Sequence, residues 1–292
     1  MAAMRSDVEQ AVDLLQVGDA DALEKALELL QRSVFAFSMR VCGQRQDAED
    51  TMQEVLIKSL PYLPKFTSSK ALAVWLYTVA RNSCLLSRRK SKFAPKAEMS
   101  LEELMPDREE LEGLYGRPSD SPELAAIRGQ QDSRLREAIR SLAPPYRIVL
   151  VLRDMEGLTD EEVAEVTGLR PGTVRVRLHR ARLFVQKELA RLNATGTNET
   201  VARRSTPLSR PGHCKKMFSK LLDYLDGQLD DFSCEEMETH LNGCEPCKEM
   251  LRGFETTISR CRNASADCPD TAKAADLRHQ LLTAYSRALA NA

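Results

Sequence analysis

The amino-acid sequence predicts an all-α protein, and three observations support this fold class. Alternating Val, Ile and Thr residues, the pattern of half-buried strands, are almost absent. Apolar residues instead recur at helical spacing through most of the 292 residues. The aromatic fraction is 5% and the charged fraction is 29%, a composition that favours a soluble helical protein. At this length we expect two or three domains rather than a single core.

Composition also predicts where the protein works. The N-terminal stretch MAAMRSDVEQ has no apolar signal-peptide region, and the longest aliphatic run is the five residues 148–152. We therefore expect a cytoplasmic protein without a membrane partner. In that compartment, eight cysteines favour metal or redox chemistry over structural disulfides. The net charge is only −1, but the charges are segregated along the chain.

A first helical domain is predicted over residues 6–93, with helices at about 8–16, 22–42 and 71–89. Asp47 is expected to cap a further helix, with Asp50 in the capping-box position. Cys42 and Cys84 are expected to be core residues, with Cys84 the more exposed.

The end of this domain is strongly basic, because residues 81–92 contain five Lys or Arg and no acid. Compensation of a helix dipole explains one or two such charges. A basic run beside Trp75, Tyr77 and a polar loop is also typical of single-stranded nucleic-acid binding, in which bases stack while cations follow phosphates.

Two linkers are predicted, at residues 94–128 and 194–212. Residues 98–123 contain nine acids and two bases, which favours a solvated tether over a segment that imitates a nucleic-acid strand. The second linker is rich in Thr, Ser, Arg, Pro and Gly.

Residues 158–187, within a predicted domain at 129–193, have the pattern of a helix-turn-helix. Thr159 and Glu162 form a capping box that starts the first helix, and Gly168 ends it. Pro171 is suited to the start of the second helix. Two leading helices are expected before this motif, at about 133–142 and 145–155.

The second helix of the helix-turn-helix, which starts near Pro171, has two different faces. Its buried stripe is predicted to be Val174, Leu178, Ala181 and Val185, while the residues that point away or flank it are Arg175, Val176, His179, Arg180 and Leu183. Residues 170–191 contain seven bases and one acid, whereas residues 154–165 contain six acids and no base. This layout favours a recognition helix in a DNA major groove over a solvated helix of a bundle.

The C-terminal region contains six of the eight cysteines and a pattern typical of zinc ligands. The predicted ligands are Cys214, His240, Cys244 and Cys247, which suit one tetrahedral ion bound by three thiolates and one imidazole. Ser233 and Glu236 are expected to cap the helix that carries His240.

Other assignments in this region remain open. His213 is an alternative to Cys214 as a ligand. Cys234 lies about 120° around the helix from His240, which makes it a poor co-ligand, and Cys261 and Cys268 fit no zinc pattern.

The first two domains resemble the extracytoplasmic-function sigma factors of bacterial RNA polymerase. Four motifs carry the resemblance, in the family's order: DAEDTMQEV from Asp47, WLYTVARN from Trp75, GLTDEEVAE from Gly157 and GTVRVRLHRAR from Gly172. The first two resemble sigma region 2 and the others region 4, so the resemblance covers residues 6–193.

This resemblance implies an alternative sigma factor, not an enzyme, whose partners are core RNA polymerase and promoter DNA. The implied polymerase contacts are Asp50, Gln53 and Glu54. The implied contacts to the melted minus-ten element are the loop from Thr67 to Lys70, then Asn82, Arg88, Arg89 and Lys90. The implied contacts to the minus-thirty-five element are Arg175, Val176, His179 and Arg180, and Arg170, where many relatives have Ser or Thr, is expected to contact a phosphate.

Residues 213–255 resemble the zinc-binding anti-sigma fold, through YLDG at Tyr224–Gly227 and HLNGCEPC at His240–Cys247. The family position favours Cys214 over His213 as the first ligand. The resemblance implies that this module covers sigma surfaces of its own chain. The tail, residues 256–292, contains an amphipathic helix at about 272–289, which is expected to dock on a sigma domain or on the zinc module.

Two further functions fit part of the pattern. A helix-turn-helix regulator that senses metal without contacting polymerase would explain residues 129–255 alone. A thiol oxidoreductase would use Cys244 and Cys247, but no βαβ pattern surrounds them.

Overall fold

A computed structural model describes residues 3–17, 19–89, 124–194, 212–264 and 268–290. The regular elements in these ranges are helices, which confirms the predicted fold class. Within the same ranges, no helix has both the length and the apolar character that a membrane span requires. Cytoplasmic localisation stays a prediction.

Four helices form the N-terminal part of the chain, with a short 3-10 turn at Leu63–Lys65 before the last of them. They are α1 (Ala3–Val17), α2 (Ala20–Cys42), α3 (Arg45–Ser59) and α4 (Ser69–Arg89). Gly43 ends α2 in the left-handed conformation, with a φ of 79°.

The predicted cap of α3 was wrong. Gln44, in extended conformation, precedes the helix, and Asp47 lies in its first turn. The reversal at Gly43 allows α3 to begin almost at once, so Asp47 interacts favourably with the helix dipole instead of capping the helix. Lys70 belongs to α4 and not to the preceding loop.

Four further helices follow in residues 124–194: α5 (Leu124–Ser141), α6 (Pro144–Leu150), α7 (Asp160–Thr167) and α8 (Pro171–Ala194). α5 begins within the predicted acidic linker, because its Leu- and Ala-rich first turns are good helix formers. A π-helical turn at Val151–Met155 continues α6 where an unbroken α-helix was expected.

The C-terminal region contains α9 (Gly212–Leu225), α10 (Asp231–Gly243), α11 (Glu245–Asn263) and α12 (Thr271–Ala290). The predicted cap of α10 was also wrong. Asp230 caps this helix by accepting a hydrogen bond from the Ser233 N–H at 2.9 Å. Ser233 therefore lies inside the first turn, where its N–H is the donor.

The described chain forms two compact units. The first contains α1–α4, residues 139–178 and residues 262–290, and its largest buried side chains include Phe35, Phe37, Leu56 and Leu76. The second contains residues 124–138, 179–194 and 212–261. The domain boundaries expected from the sequence stay a prediction.

A fully buried carboxylate connects distant segments of the first unit. Glu156 follows the π-helical turn and is 0% exposed. Its Oε1 accepts a hydrogen bond from Arg40 of α2 at 2.5 Å, and its Oε2 accepts one from Tyr77 of α4 at 3.1 Å. Burial raises the pKa of Glu156, and Arg40 and Tyr77 oppose this effect.

This raised pKa predicts a pH dependence of stability. The folded state holds the Glu156 proton to a higher pH than the unfolded state, so the free energy of unfolding should fall as pH rises from the unfolded pKa through the folded pKa. Glu156→Gln should remove this component. Denaturant titrations between about pH 4.5 and 8 measure it, with Glu24→Gln on the exposed face of α2 as the control. Equal slopes for the wild type and Glu156→Gln would contradict the prediction.

Candidate nucleic-acid interface and metal centre

The helix-turn-helix has the local structure that its sequence predicted. The Thr159 hydroxyl accepts a hydrogen bond from the Glu162 N–H at 3.3 Å, and the Glu162 carboxylate accepts one from the Thr159 N–H at 2.8 Å. Gly168 ends α7 with a φ of 69°, and Pro171 is the first residue of α8. The capping box fixes where α7 begins, and Gly168 fixes the turn toward α8.

Thr159→Ala should destabilise the protein by about 1 kcal/mol, because the first turn of α7 loses a side-chain acceptor. The free energy of unfolding from urea titration measures this loss. Thr173→Ala, at an exposed position in the first turn of α8, is the matched control and should change stability by less than about 0.5 kcal/mol. Equal losses in the two variants would contradict a specific capping role.

The predicted buried stripe of α8 is confirmed, since each member is 0% exposed: Val174, Leu178, Ala181 and Val185. Within the first unit, the proposed DNA-contact residues Arg170 and Val176 are exposed. Arg175 is half-buried, and its Nε lies 3.5 Å from the carboxylate of Asp160. The accessible part of this face thus combines cations with the apolar side chain of Val176.

Within the second unit, the same helix meets acidic residues of α9 and of the turn that follows it. His179 Nε2 lies 3.6 Å from Asp223 Oδ1 and 3.8 Å from Asp226 Oδ2. Arg182, whose side chain is 1% exposed, donates two hydrogen bonds to Asp226, at 2.8 and 2.9 Å. This fork-to-fork geometry is the strongest form of an Arg–carboxylate pair. Arg180 is half-buried.

Apolar packing accompanies this ion pair. Leu183 of α8 belongs to the same buried cluster as eight residues of α9–α11, namely Met217, Leu221, Leu222, Met237, Leu241, Cys247, Met250 and Phe254. Phe184 packs against the edge of this cluster. The face of α8 that carries His179, Arg182 and Leu183 is therefore packed against the C-terminal module.

Three of the four predicted zinc ligands lie together, at the end of α10 and the start of α11. His240 Nε2 is 3.2 Å from Cys247 Sγ. One ligand atom from each of His240, Cys244 and Cys247 lies within 4.8 Å of the others. Ligand atoms of a tetrahedral zinc site are roughly 3.5 Å apart, from bond lengths of about 2.0 Å to nitrogen and 2.3 Å to sulfur. The arrangement therefore fits zinc, whereas the side chains of Cys214 and His213 lie outside the described part of the structure.

The proposed polymerase-contact residues lie on α3. Asp50 and Gln53 are exposed, and Glu54 is half-buried. Both oxygens of the Glu54 carboxylate accept hydrogen bonds, from Lys58 at 2.5 Å and from Ser83 at 2.5 Å. These bonds, with Lys58 the larger influence, lower the pKa of Glu54.

Helix α12 packs on α2 and α3 beside these residues. Gln31 of α2 donates a hydrogen bond to the Ala274 carbonyl at 2.9 Å, and Lys273 pairs with Glu49 of α3 at 2.7 Å. Leu277 is 6% exposed and lines one groove with Asp50 and Gln53. The expected apolar stripe of α12 is largely buried: Ala274, Leu277 and Leu281 are buried, and Leu282 is half-buried. The side chains of Tyr285 and Leu289 lie outside the described part of the structure.

The proposed minus-ten residues are only partly described. Lys70 pairs with Glu162 of α7 at 3.1 Å, and Asn82 is exposed. The side chains of Arg88 and Arg89, and all of Lys90, lie outside the described part of the chain.

The aromatic residues beside this basic end differ in accessibility. Tyr77, considered above as a stacking residue, is 1% exposed and bound to Glu156, so it offers no surface for a base. Trp75 is half-buried and contacts Tyr62 and Phe66, with ring centroids 5.9 and 6.1 Å apart. These three rings form the aromatic surface of this region.

Sequence reasoning missed Arg182, Asp226 and Glu156 as contact residues. Arg182 had a signal, since it lies one helical turn after His179. Asp226 had another, since it is the acid of the Tyr224–Gly227 motif. Glu156 had no such signal, because nothing in the sequence distinguishes a buried acid among the six acids of residues 154–165.

Comparison with known proteins identifies three families along the chain. Residues 26–93 match the family described as "Sigma-70 region 2", and residues 132–185 match "Sigma-70, region 4". Residues 214–248 match the family described as "Putative zinc-finger".

Two individual relatives are RNA polymerase sigma factors. An RNA polymerase sigma-H factor of Pseudomonas aeruginosa is 31% identical over 185 residues, which are 62% of this chain and 93% of that protein. The ECF RNA polymerase sigma factor SigW of Bacillus subtilis is 25% identical over 190 residues, which are 64% and 98%. The co-crystal structure of the sigma factor RpoE with the anti-sigma factor NepR, from Bartonella quintana, covers 58% of this chain and 98% of that chain, at 22% identity and a TM-score of 0.41.

The family matches and the two relatives from Pseudomonas aeruginosa and Bacillus subtilis favour the sigma-factor hypothesis over a metal-sensing regulator outside the family and over a thiol oxidoreductase. Sigma factors are transcription initiation factors and not enzymes. The chain belongs to the extracytoplasmic-function sigma factors of RNA polymerase, and it carries an anti-sigma-like zinc-finger domain after region 4.

Proposed function

We propose that this protein is a sigma factor whose own C-terminal region holds its promoter- and polymerase-binding surfaces covered until zinc or thiol chemistry releases them. The pairing of Arg182 with Asp226 is the observation that carries this proposal. A bidentate Arg–carboxylate pair at 1% exposure on the recognition helix presents no surface to DNA, but it is well suited to holding a module on that helix.

The proposed DNA contacts are Arg170, Arg175, Val176, His179 and Arg180 at the minus-thirty-five element. The accessibility of Arg170 and Val176 supports this role. His179 lies beside two carboxylates, Asp223 and Asp226, whose negative charges resemble those of phosphate oxygens. The zinc module therefore competes with DNA for the second half of α8.

The proposed minus-ten contacts are Lys70, Asn82, Arg88, Arg89 and Lys90. Exposure of Asn82 and the neighbouring rings of Trp75, Tyr62 and Phe66 support single-strand binding, since aromatic side chains stack with unpaired bases. Lys70 is paired with Glu162, so binding to the melted strand requires this ion pair to break.

The proposed contacts to core polymerase are Asp50, Gln53 and Glu54. Asp50 and Gln53 share a groove with Leu277 of α12. The ion pair of Lys273 with Glu49 holds α12 next to this face. We infer that α12 restrains polymerase binding as the zinc module restrains DNA binding.

The proposed metal centre is one zinc ion bound by Cys214, His240, Cys244 and Cys247. Three thiolates and a neutral imidazole give the site a net charge of about −1, and metal binding stabilises the folded module. Zinc analysis of two variants tests the fourth ligand. Cys214→Ser should reduce zinc content, whereas His213→Ala should leave it at one ion per chain; the reverse result would assign His213.

Run-off transcription with core polymerase tests the proposed function. The target promoter is first selected from genomic fragments by the protein lacking residues 205–292 together with core polymerase. Transcription from this promoter should be at least tenfold higher for the shortened protein than for the full chain. Equal transcription would leave the sigma activity in place and remove the regulatory role of the C-terminal region; no transcription by either protein would contradict the sigma activity.

A further inference from the structure

Region 2 contains a disulfide bond that the sequence did not predict. Cys42 is the last residue of α2, and Cys84 lies in the second half of α4. Their sulfurs are bonded, their Cα atoms are 5.4 Å apart, and each residue is 2% exposed. The expectation that Cys84 is the more exposed of the two was wrong. The two cysteines are 42 residues apart in the sequence, and the bond connects the two helices that precede and follow α3.

A chain of polar contacts leads from this disulfide to the proposed polymerase-binding face. The Thr51 hydroxyl of α3 lies 3.8 Å from Cys42 Sγ and 3.7 Å from Cys84 Sγ. The same hydroxyl donates to Ser83 Oγ at 3.5 Å, and Ser83 donates to Glu54 Oε2 at 2.5 Å. Thr51 is 1% exposed and Ser83 is 8% exposed, so most of this path is shielded from water.

The path ends at a carboxylate that is partly exposed. Lys58 binds the other oxygen of Glu54, so each oxygen already accepts one hydrogen bond within the chain. A polymerase cation that contacts Glu54 competes with these donors for the carboxylate charge. Because Ser83 is the neighbour of Cys84 on α4, a change at the cysteine pair alters the position of one donor.

We propose that Cys42 and Cys84 are a reversible redox site that controls polymerase binding, with the disulfide form the weaker binder. This inference rests on the proposed role of Glu54 in polymerase contact. The sequence predicts a cytoplasmic protein, and disulfides of cytosolic proteins are usually transient and either catalytic or redox-sensing. The pair joins α2 to α4, the helix of the proposed promoter contacts, and the polar path from it reaches Glu54 on α3, the helix of the proposed polymerase contacts.

The oxidant we assign is hydrogen peroxide. One thiolate attacks an oxygen of peroxide, which gives a sulfenic acid and, after proton transfer, one water molecule. The second thiol then displaces the sulfenic hydroxyl as water and forms the S–S bond. In total, two thiols and one peroxide give one disulfide and two water molecules. A dithiol reductant supplies two electrons and two protons for the reverse reaction.

Reduction removes the covalent link between α2 and α4 and leaves two thiol groups beside the Thr51 hydroxyl. We expect the hydrogen bond from Thr51 to Ser83 to rearrange, and with it the bond from Ser83 to Glu54. This rearrangement would make one carboxylate oxygen more available to polymerase.

The test titrates core polymerase into labelled full-length protein after peroxide treatment or after treatment with dithiothreitol. Differential alkylation and mass spectrometry measure the Cys42–Cys84 bond in each sample. A double variant with Cys42→Ala and Cys84→Ala retains the zinc module, so the change in its Kd on oxidation measures the effect of the zinc thiolates. Relative to that change, the Kd of the wild type should rise about tenfold on oxidation.

Ser83→Ala isolates the proposed coupling. This variant should still form the disulfide, but its Kd should change on oxidation by less than twofold relative to the double variant. A wild-type Kd that changes no more than that of the double variant would overturn the inference, as would cysteines that remain alkylatable after peroxide. Absence of polymerase binding in both states would contradict the proposed function and, with it, the regulatory part of this inference. Alkylation would then still show whether Cys42 and Cys84 form a disulfide on treatment with peroxide.

Discussion

Asp226→Asn should increase transcription by the full-length protein at least tenfold on a promoter selected with the shortened protein. The substitution keeps the size of the side chain but removes the negative charge that pairs with the Arg182 guanidinium, whose side chain is 1% exposed. Removal of one partner from a buried pair typically costs about 3–5 kcal/mol. Asparagine still accepts one hydrogen bond, so we expect about 3 kcal/mol, or roughly a hundredfold shift toward an uncovered α8.

Asp223→Asn is the matched control for this experiment. Asp223 is 34% exposed and lies 3.6 Å from His179, so its loss should change transcription by less than about threefold. Circular dichroism checks that both variants remain folded. Hydrogen exchange of the α8 amides should increase in Asp226→Asn only. If both variants transcribe at the wild-type level, the ion pair does not restrain the recognition helix.

His240→Ala should release the zinc ion and unfold the α9–α11 module. Binding of a structural zinc ion typically contributes about 10–16 kcal/mol of apparent free energy to folding. Removal of one of the ligands should abolish most of this contribution. The buried cluster includes Cys247, so loss of the metal also disturbs apolar packing. Zinc content should fall from one ion per chain to less than about a tenth. Helical ellipticity should decrease, and transcription should approach that of the protein lacking residues 205–292.

Cys234→Ser provides the control, because Cys234 lies on the same helix as His240 but outside the ligand cluster. It should retain one zinc ion and wild-type regulation. Full zinc occupancy in His240→Ala would contradict the proposed ligand set. Loss of zinc without any rise in transcription would separate a structural metal from the regulatory mechanism.

Local sequence rules predicted the helix-turn-helix well. Thr159, Glu162 and Gly168 act within a single helix and its two ends, so the residues alone specify the geometry. The buried stripe of α8 follows from helical periodicity for the same reason. The caps of α3 and α10 were less predictable. At each helix, several neighbouring residues could be the N-cap, and the conformation of the preceding turn determines where the helix begins. Gly43 ends α2 just before α3, and Asp230 is the residue that caps α10.

Long-range contacts could not be predicted from periodicity. A helical pattern shows which face of α8 or α12 is buried but not which surface covers it. Glu156 and Arg40 are 116 residues apart, and Arg182 and Asp226 are 44 apart, so each pair depends on the tertiary fold. The Cys42–Cys84 bond was missed for a related reason. The spacing of the two cysteines carries no motif, and cytoplasmic cysteines were expected to avoid disulfides.

The packing of α12 on α2 and α3 has a consequence for competition. A segment tethered to its own binding site typically has an effective concentration in the millimolar range. A partner that docks on the same face at micromolar concentration therefore meets a competitor in large excess, and overproduction of the protein does not alter this ratio, because every copy carries its own competitor. A separate peptide with the sequence of α12 acts only at its bulk concentration. Relief of competition thus depends on a change within the chain and not on the number of copies.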